Sequence, residues 1–202
     1  MKGLIVDFDG TLACSDKTVS KRNIQAISDL IKRGGKVAVA TGRMTYSAIH
    51  EILPKLSFKP YFATYDGCEI IDSDENLISS LKLTPDNEIE ILKFAKETGV
   101  ISQLYSDEVI VEKENEYSKW YCSISKCSLK AVGDLIDFVK TENFRSPKIV
   151  YLVEDERTEE ILSALRNKFP HNAIAKGYKG VIDITPENIT KGYAVKSLCS
   201  VW

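Results

Sequence analysis

The first 65 residues alternate between short apolar runs and amphipathic stretches, and that order restricts the fold more than any other feature of the chain. The apolar runs Leu4-Ile5-Val6 and Val37-Ala38-Val39-Ala40 do not alternate with polar residues, so each predicts a strand covered on both faces. The first strand is expected over Lys2–Asp7 and the second over Lys36–Ala40. Between them Ser20 can cap a helix whose Ile24, Ile27, Leu30 and Ile31 keep helical spacing, and Gly34-Gly35 supply a left-handed stop. Thr41-Gly42-Arg43 leads into a helix expected to end near Leu53, before Pro54. A third strand over Tyr61–Tyr65 runs into Asp66-Gly67 and a hairpin of Glu69–Asp72 against Leu77–Leu83. Strand, helix, strand, helix, strand with short joins is the pattern of an α/β doubly wound parallel sheet, in which chemistry collects at the carboxyl ends of strands. Asp7 and Thr41 both stand at such ends.

Beyond Leu83 the texture changes. Thr84-Pro85 starts a helix expected to run to Thr98, ahead of Gly99. Strands are expected at Ile101–Tyr105, Val109–Glu112 and Lys119–Ser125, then a helix near Lys130–Lys140. A strand at Lys148–Val153, a helix at Glu156–Phe169 and strands near Asn172–Ala175 and Gly180–Ile184 follow. This mixture predicts an α+β domain over residues 84–182, inserted into a first domain formed by 1–83 and 183–202. Thr190-Lys191-Gly192 then opens a last helix.

Composition narrows the class. Of 202 residues, 44% are hydrophobic and 28% charged, the balance of a soluble globular protein, and the formal net charge of −2 gives no basic field for nucleic acid or an anionic membrane. No apolar run approaches the roughly 18 residues of a membrane span, and the N-terminus lacks the pattern of a signal peptide. The five cysteines are an odd, scattered set with no CxxC pair, which suits a reducing cytoplasm.

A carboxylate is costly to bring near a core unless something pairs with it, so Asp7-Phe8-Asp9-Gly10 is either a solvated turn or the start of an active site. Two other features bear on the choice. The Thr41 hydroxyl and the Thr41-Gly42 amides are expected at the same sheet edge, where a hydroxyl and N–H groups at a helix start suit a phosphate. Lys191 supplies a point charge of the kind phosphate oxygens attract, although a helix cap at Thr41 and a solvated lysine at 191 are the plain alternatives. Arg43 reads as a structural or cap-facing residue.

Asp7-Phe8-Asp9-Gly10-Thr11-Leu12, Thr41-Gly42-Arg43 and Ile189-Thr190-Lys191-Gly192-Tyr193-Ala194 resemble the first three motifs of the haloacid dehalogenase (HAD) superfamily. The insert resembles the cap of its Cof-type (class IIB) branch, on a Rossmann-like core. Asp66-Gly67 departs from the Asn-Gly common there. The resemblance implies a phosphatase in which Asp7 is the nucleophile and Asp9 the general acid and base. Thr41, Gly42 and Lys191 would bind the phosphoryl oxygens, with Lys191 also offsetting the charge of Asp7. It further implies Mg2+ held by the Asp7 carboxylate and the Asp9 carbonyl. The family's acidic fourth motif, which completes the magnesium site on the next core strand, has no counterpart here, since no Asp or Glu follows Glu187. Weak metal binding is therefore expected, and the Asp7 strand is left at a sheet edge where a homodimer or a completing chain could pair.

The leading expectation is a cytoplasmic, magnesium-dependent hydrolase of a small phosphorylated metabolite such as a sugar phosphate. The alternatives are a catalytically silent module binding a phosphate ligand or a protein, and a phosphomutase such as phosphomannomutase. A mutase needs basic cap residues around a bisphosphate, and Lys148, Arg157 and Lys179 are not obviously clustered. Tyr117, Trp120 and Tyr121 read as cap core rather than a substrate platform.

Overall fold

The β2 strand shows why the first sheet is covered on both faces. Along Lys36–Ala40, Val37 and Val39 point to one side and Ala38 and Ala40 to the other, and all four are buried. The computed structural model describes residues 3–178 and 180–202; the expected strand start at Lys2, and Lys179, lie outside them. The chain divides into two compact units, Met1–Ser80 with Ile189–Trp202, and Leu81–Asn188.

In the first unit, β1 (Gly3–Asp7), β2 (Lys36–Ala40) and β3 (Tyr61–Thr64) are parallel, and β4 (Glu69–Ile71) and β5 (Leu77–Ser80) continue the sheet as antiparallel strands in the order β1-β2-β3-β4-β5. The Val37, Val39 and Phe62 face packs with Phe8, Ile27 of α1 (Lys21–Lys32), Ala48 and Ile52. The opposite face is built of small residues, Ala38, Ala40 and Ala63, against Ala194 and Leu198 of α7 (Lys191–Val201). Alanines let that helix approach closely. Ser20 caps α1 by accepting from the Asn23 amide, as its position predicts.

The segment after Thr41-Gly42-Arg43 differs from the single helix expected. A short α2 (Thr45–Ser47) passes into a π-turn over Ala48–Ile52 and a 3-10 turn over Leu53–Lys55. Pro54 sits inside that last turn, where its missing N–H has no intrahelical role to lose. Gly3 is covered by Trp202: a Cβ there would lie 2.1 Å from the indole ring, which also meets Tyr61 edge-on.

The second unit is a six-stranded sheet in the order β10-β11-β9-β6-β7-β8, where β6 is Ile101–Tyr105, β7 Val109–Val111, β8 Leu129–Ala131, β9 Lys148–Leu152, β10 Ala173–Lys176 and β11 Val181–Thr185. Leu104, Ile110, Ile149, Tyr151, Ile182 and Ile184 form one apolar cluster with residues of α3 (Pro85–Thr98), α5 (Leu135–Thr141) and α6 (Thr158–Lys168). Thr84 caps α3, and Gly99 closes it in the left-handed conformation at φ 70°.

Two expectations fail in this unit. Lys119–Ser125 is not a strand but the body of α4 (Glu116–Ser125). Its aromatic run carries strand propensity, yet Asn115 accepts from the Ser118 amide while Ser118 Oγ accepts from the Asn115 amide, a capping box that starts a helix. Tyr117 and Tyr121, one helical turn apart, then stack at 6.2 Å. The helix expected near Lys130–Lys140 is β8 followed by the shorter α5, because Gly133 at φ 81° and the Asp134 cap delay its start.

Glu88 of α3 is fully buried, and one carboxylate oxygen accepts from both the amide and the hydroxyl of Ser146. The Ser146 carbonyl accepts from the Leu83 amide at 2.9 Å, and Arg145 Nε donates to the Leu83 carbonyl at 3.1 Å. The other Glu88 oxygen has no partner among the described residues. Burial pushes the Glu88 pKa up to about 7, against the opposing pull of Ser146, Arg145 and Lys82. No helix among the described residues is long and apolar enough to cross a membrane.

Candidate active site

Parallel pairing sets the first part of the site. Asp7 is the last residue of β1 and lies opposite Ala40 of β2, so Asp7 and Thr41 stand at the same end of the sheet. The chain then turns sharply: the amides of Leu12 and Ala13 return to the carbonyls of Asp7 and Phe8, with Gly10 at φ 74°. Thr190 caps α7 by accepting from the Tyr193 amide, and Lys191, the first residue of that helix, reaches Asp7, Nζ to Oδ1 at 2.9 Å. Asp7 and Lys191 are thus brought together from opposite ends of the sequence.

Asp9 has different partners. Arg43 grips its carboxylate with two parallel donors, Nε to Oδ2 and Nη2 to Oδ1, both at 2.7 Å. Lys17 Nζ adds a third contact to Oδ1 at 2.8 Å. A turn over residues 14–18, closed by the Cys14 amide on the Thr18 carbonyl and by Asp16 on Thr18, carries Lys17 back to this point. Partial burial raises the Asp9 pKa, but the hydrogen bonds and charges of Arg43 and Lys17 outweigh it and hold the group below the usual carboxylate range. The Arg43 guanidinium also lies over the Phe8 ring at 5.4 Å.

Thr41 is buried, and its Oγ1 accepts from the Arg43 amide at 3.2 Å, which fixes the start of the loop that carries the arginine. Its own amide is spent in the sheet, donating to the Ala63 carbonyl at 2.8 Å, so it is not available to a ligand. Gly42 packs against the Asp66 carboxylate, where a Cβ would come within 3.1 Å of an oxygen. The loop holding Asp66 is tied to the same stretch, with the amides of Tyr65 and Asp66 donating to the carbonyls of Arg43 and Thr41. Gly67, at φ 116°, lies against α7, where a Cβ would sit 3.0 Å from that of Ala194 and 3.2 Å from the Thr190 carbonyl. Gly67→Ala is expected to cost about 2 kcal/mol through backbone strain and this crowding, read as a lower melting temperature.

The motifs point to Asp7, Asp9, Thr41, Gly42 and Lys191. Arg43, expected to be structural or cap-facing, grips Asp9, and Asp66, expected only as a departure from Asn-Gly, lies beside Gly42. Lys17 on Asp9 has no motif to mark it. Lys17 left no signal, because a lysine in a polar turn is ordinary. Arg43 was visible as the third residue of Thr-Gly-Arg, though its partner was not.

Among the described residues no group of three or more His, Cys, Asp or Glu side chains is placed to hold a metal. One carboxylate from Asp7 and the Asp9 carbonyl are hard oxygens that fit a magnesium ion keeping most of its water.

The profile of the haloacid dehalogenase-like hydrolases matches residues 4–202. A putative phosphatase of Haemophilus influenzae is 28% identical over 204 residues, covering 98% of this chain and 74% of that protein. A crystal structure from Thermotoga maritima superposes with a TM-score of 0.84 at 25% identity, covering 99% of this chain and 74% of the other. A subclass IIB sugar phosphatase has the same fold at a TM-score of 0.76 and 19% identity, covering 100% and 76% of the two chains. With three sequence motifs brought to one end of a doubly wound sheet and a family profile spanning almost the whole sequence, the chain belongs to the haloacid dehalogenase-like hydrolases.

Proposed function

We propose that this chain is a phosphatase that hydrolyses a small phosphorylated metabolite, such as a sugar phosphate, through an aspartyl-phosphate intermediate. The observation that carries the reading is the Asp7–Lys191 pair, 2.9 Å apart at the carboxyl end of a parallel sheet. An Asp7 carboxylate oxygen attacks phosphorus as the bond to the leaving oxygen breaks, and that oxygen takes the proton of protonated Asp9. Lys191 keeps Asp7 oriented and offsets the charge that gathers on the phosphoryl oxygens. Water then attacks the phosphorus of the intermediate while Asp9 accepts a proton from it, and the Asp7–phosphate bond breaks. Asp9 held by Arg43 is in the carboxylate form that this second half requires; giving a proton to the leaving group requires that it first take one. The Asp7 carboxylate and the Asp9 carbonyl would hold a magnesium ion, which when bound would supply charge neutralisation at the phosphoryl oxygens.

Two of the three basic residues weighed for holding a bisphosphate in the second unit (proposed as the cap) are otherwise engaged, which supports hydrolysis over phosphoryl return to a sugar. Lys148 is buried against Asp183 at 3.4 Å, and Arg157 donates to the Thr98 carbonyl, so neither belongs to an open basic cluster. The test is release of inorganic phosphate from a panel of sugar phosphates and aryl phosphates, with magnesium and with a chelator. Release that depends on magnesium is the expected result. Ligand-dependent stabilisation without any release would instead favour a silent binding module.

A further inference from the structure

Arg43 is strongly engaged at the site but does not itself take part in the bond-making steps of the proposed chemistry. Its side chain is mostly enclosed, about 23% exposed, and its backbone is fixed three times over. The amide donates to Thr41 Oγ1, the carbonyl accepts from the Tyr65 amide, and Met44, the next residue, is fully buried. Beyond it, Thr45 Oγ1 donates to Glu69 Oε2 at 2.5 Å and sits 2.6 Å from Thr64 Oγ1, which ties the start of α2 to β3 and β4. The guanidinium rests on Phe8, the residue between the two aspartates, and presents Nε and Nη2 to the two oxygens of Asp9. A bidentate fork specifies direction as well as distance, which a single lysine contact does not. Asp9 lies in the loop after β1, where an isolated backbone bridge to Ala13 fixes its main chain and these partners set the direction of its carboxylate.

We infer that Arg43 is a positioning residue that acts through Asp9, aiming its carboxylate for proton transfer, rather than a residue that grips the substrate. Lys17, half exposed on a turn, is the weaker second contact. The inference rests on the phosphatase reading above.

A double-mutant cycle tests it, with p-nitrophenyl phosphate as substrate because its leaving group departs without a proton and keeps impaired variants measurable. If Arg43 works through Asp9, Arg43→Ala lowers kcat by about 10- to 100-fold with KM within about threefold of wild type. Adding Arg43→Ala to Asp9→Asn then costs less than about threefold beyond Asp9→Asn alone, because the losses do not multiply within one unit. Losses that multiply, or a raised KM at unchanged kcat, would overturn the inference and point to direct phosphate binding. Arg43→Lys keeps the charge and the stem over Phe8 but not the fork. Should Arg43→Ala unfold or Asp9→Asn fall below detection, the kcat and KM of this variant decide by the same criterion. Absence of wild-type turnover, or turnover unchanged by Asp7→Asn, defeats the parent reading instead, so the two failures are distinguishable.

Discussion

Asp7→Asn is expected to lower phosphate release by at least about 10⁴-fold, the scale on which removing a nucleophile disables an enzyme of this type. Asparagine keeps the size of the side chain but offers a neutral amide in place of the attacking oxygen. It also ends the ion pair with Lys191, whose side chain is 48% exposed against 30% for Asp7. A pair that open to solvent contributes on the order of 0–1 kcal/mol, so the melting temperature should move little. The prediction therefore separates chemistry from folding: a stable variant without turnover supports the nucleophile assignment. Phosphate release that persists at the wild-type rate in the purified variant removes it.

Glu88→Gln is expected to stabilise the protein at pH 8 while leaving it no more stable than wild type near pH 5. Burial raises the folded-state pKa of Glu88 to about 7, whereas the unfolded chain titrates near its ordinary value of 4.5. Between these limits the folded state holds a proton that the unfolded state has lost, so stability falls as pH rises. The stabilising effect of this proton is fully present below pH 4.5 and gone above about 7. The span corresponds to about 3 kcal/mol at most. Glutamine keeps an oxygen for the Ser146 amide and hydroxyl and brings no charge, which removes that part of the pH dependence. Its amide donor inherits the unpartnered position, so the net gain at pH 8 should fall below the full span. Thermal melts of both proteins from pH 5 to 8.5 give the comparison, and parallel curves for the two would contradict it.

Much of this could be read from residue order. β2, α3 and β6 fall where pattern and caps predict, because Gly34, the Thr84-Pro85 start and the Gly99 stop act on nearest neighbours. The failures arise where two local signals compete. In 116–125 the aromatic side chains favour a strand, and a two-hydrogen-bond capping box together with stacking at one-turn spacing wins. After Arg43 a π-turn absorbs a residue that a regular helix of the expected length would not. The site divides the same way. Asp7 and Thr41 follow from strand ends, whereas Arg43 meets Asp9 across 34 residues and Lys17 meets it by way of an eight-residue detour. No periodicity encodes a contact of that kind; it depends on how two turns are tied at their bases.

The indole of Trp202, seated over Gly3 and against Tyr61, has a practical counterpart in Trp120, which is 52% exposed on α4. These are the only two tryptophans of the sequence, and each compact unit holds one. Intrinsic fluorescence is consequently divided between the units without any label. Trp120→Phe leaves an emission that reports the first unit, and Trp202→Phe one that reports the second. Followed through denaturation, the pair of variants shows whether the two units melt in one transition or two, and in which of them the proton of Glu88 is felt.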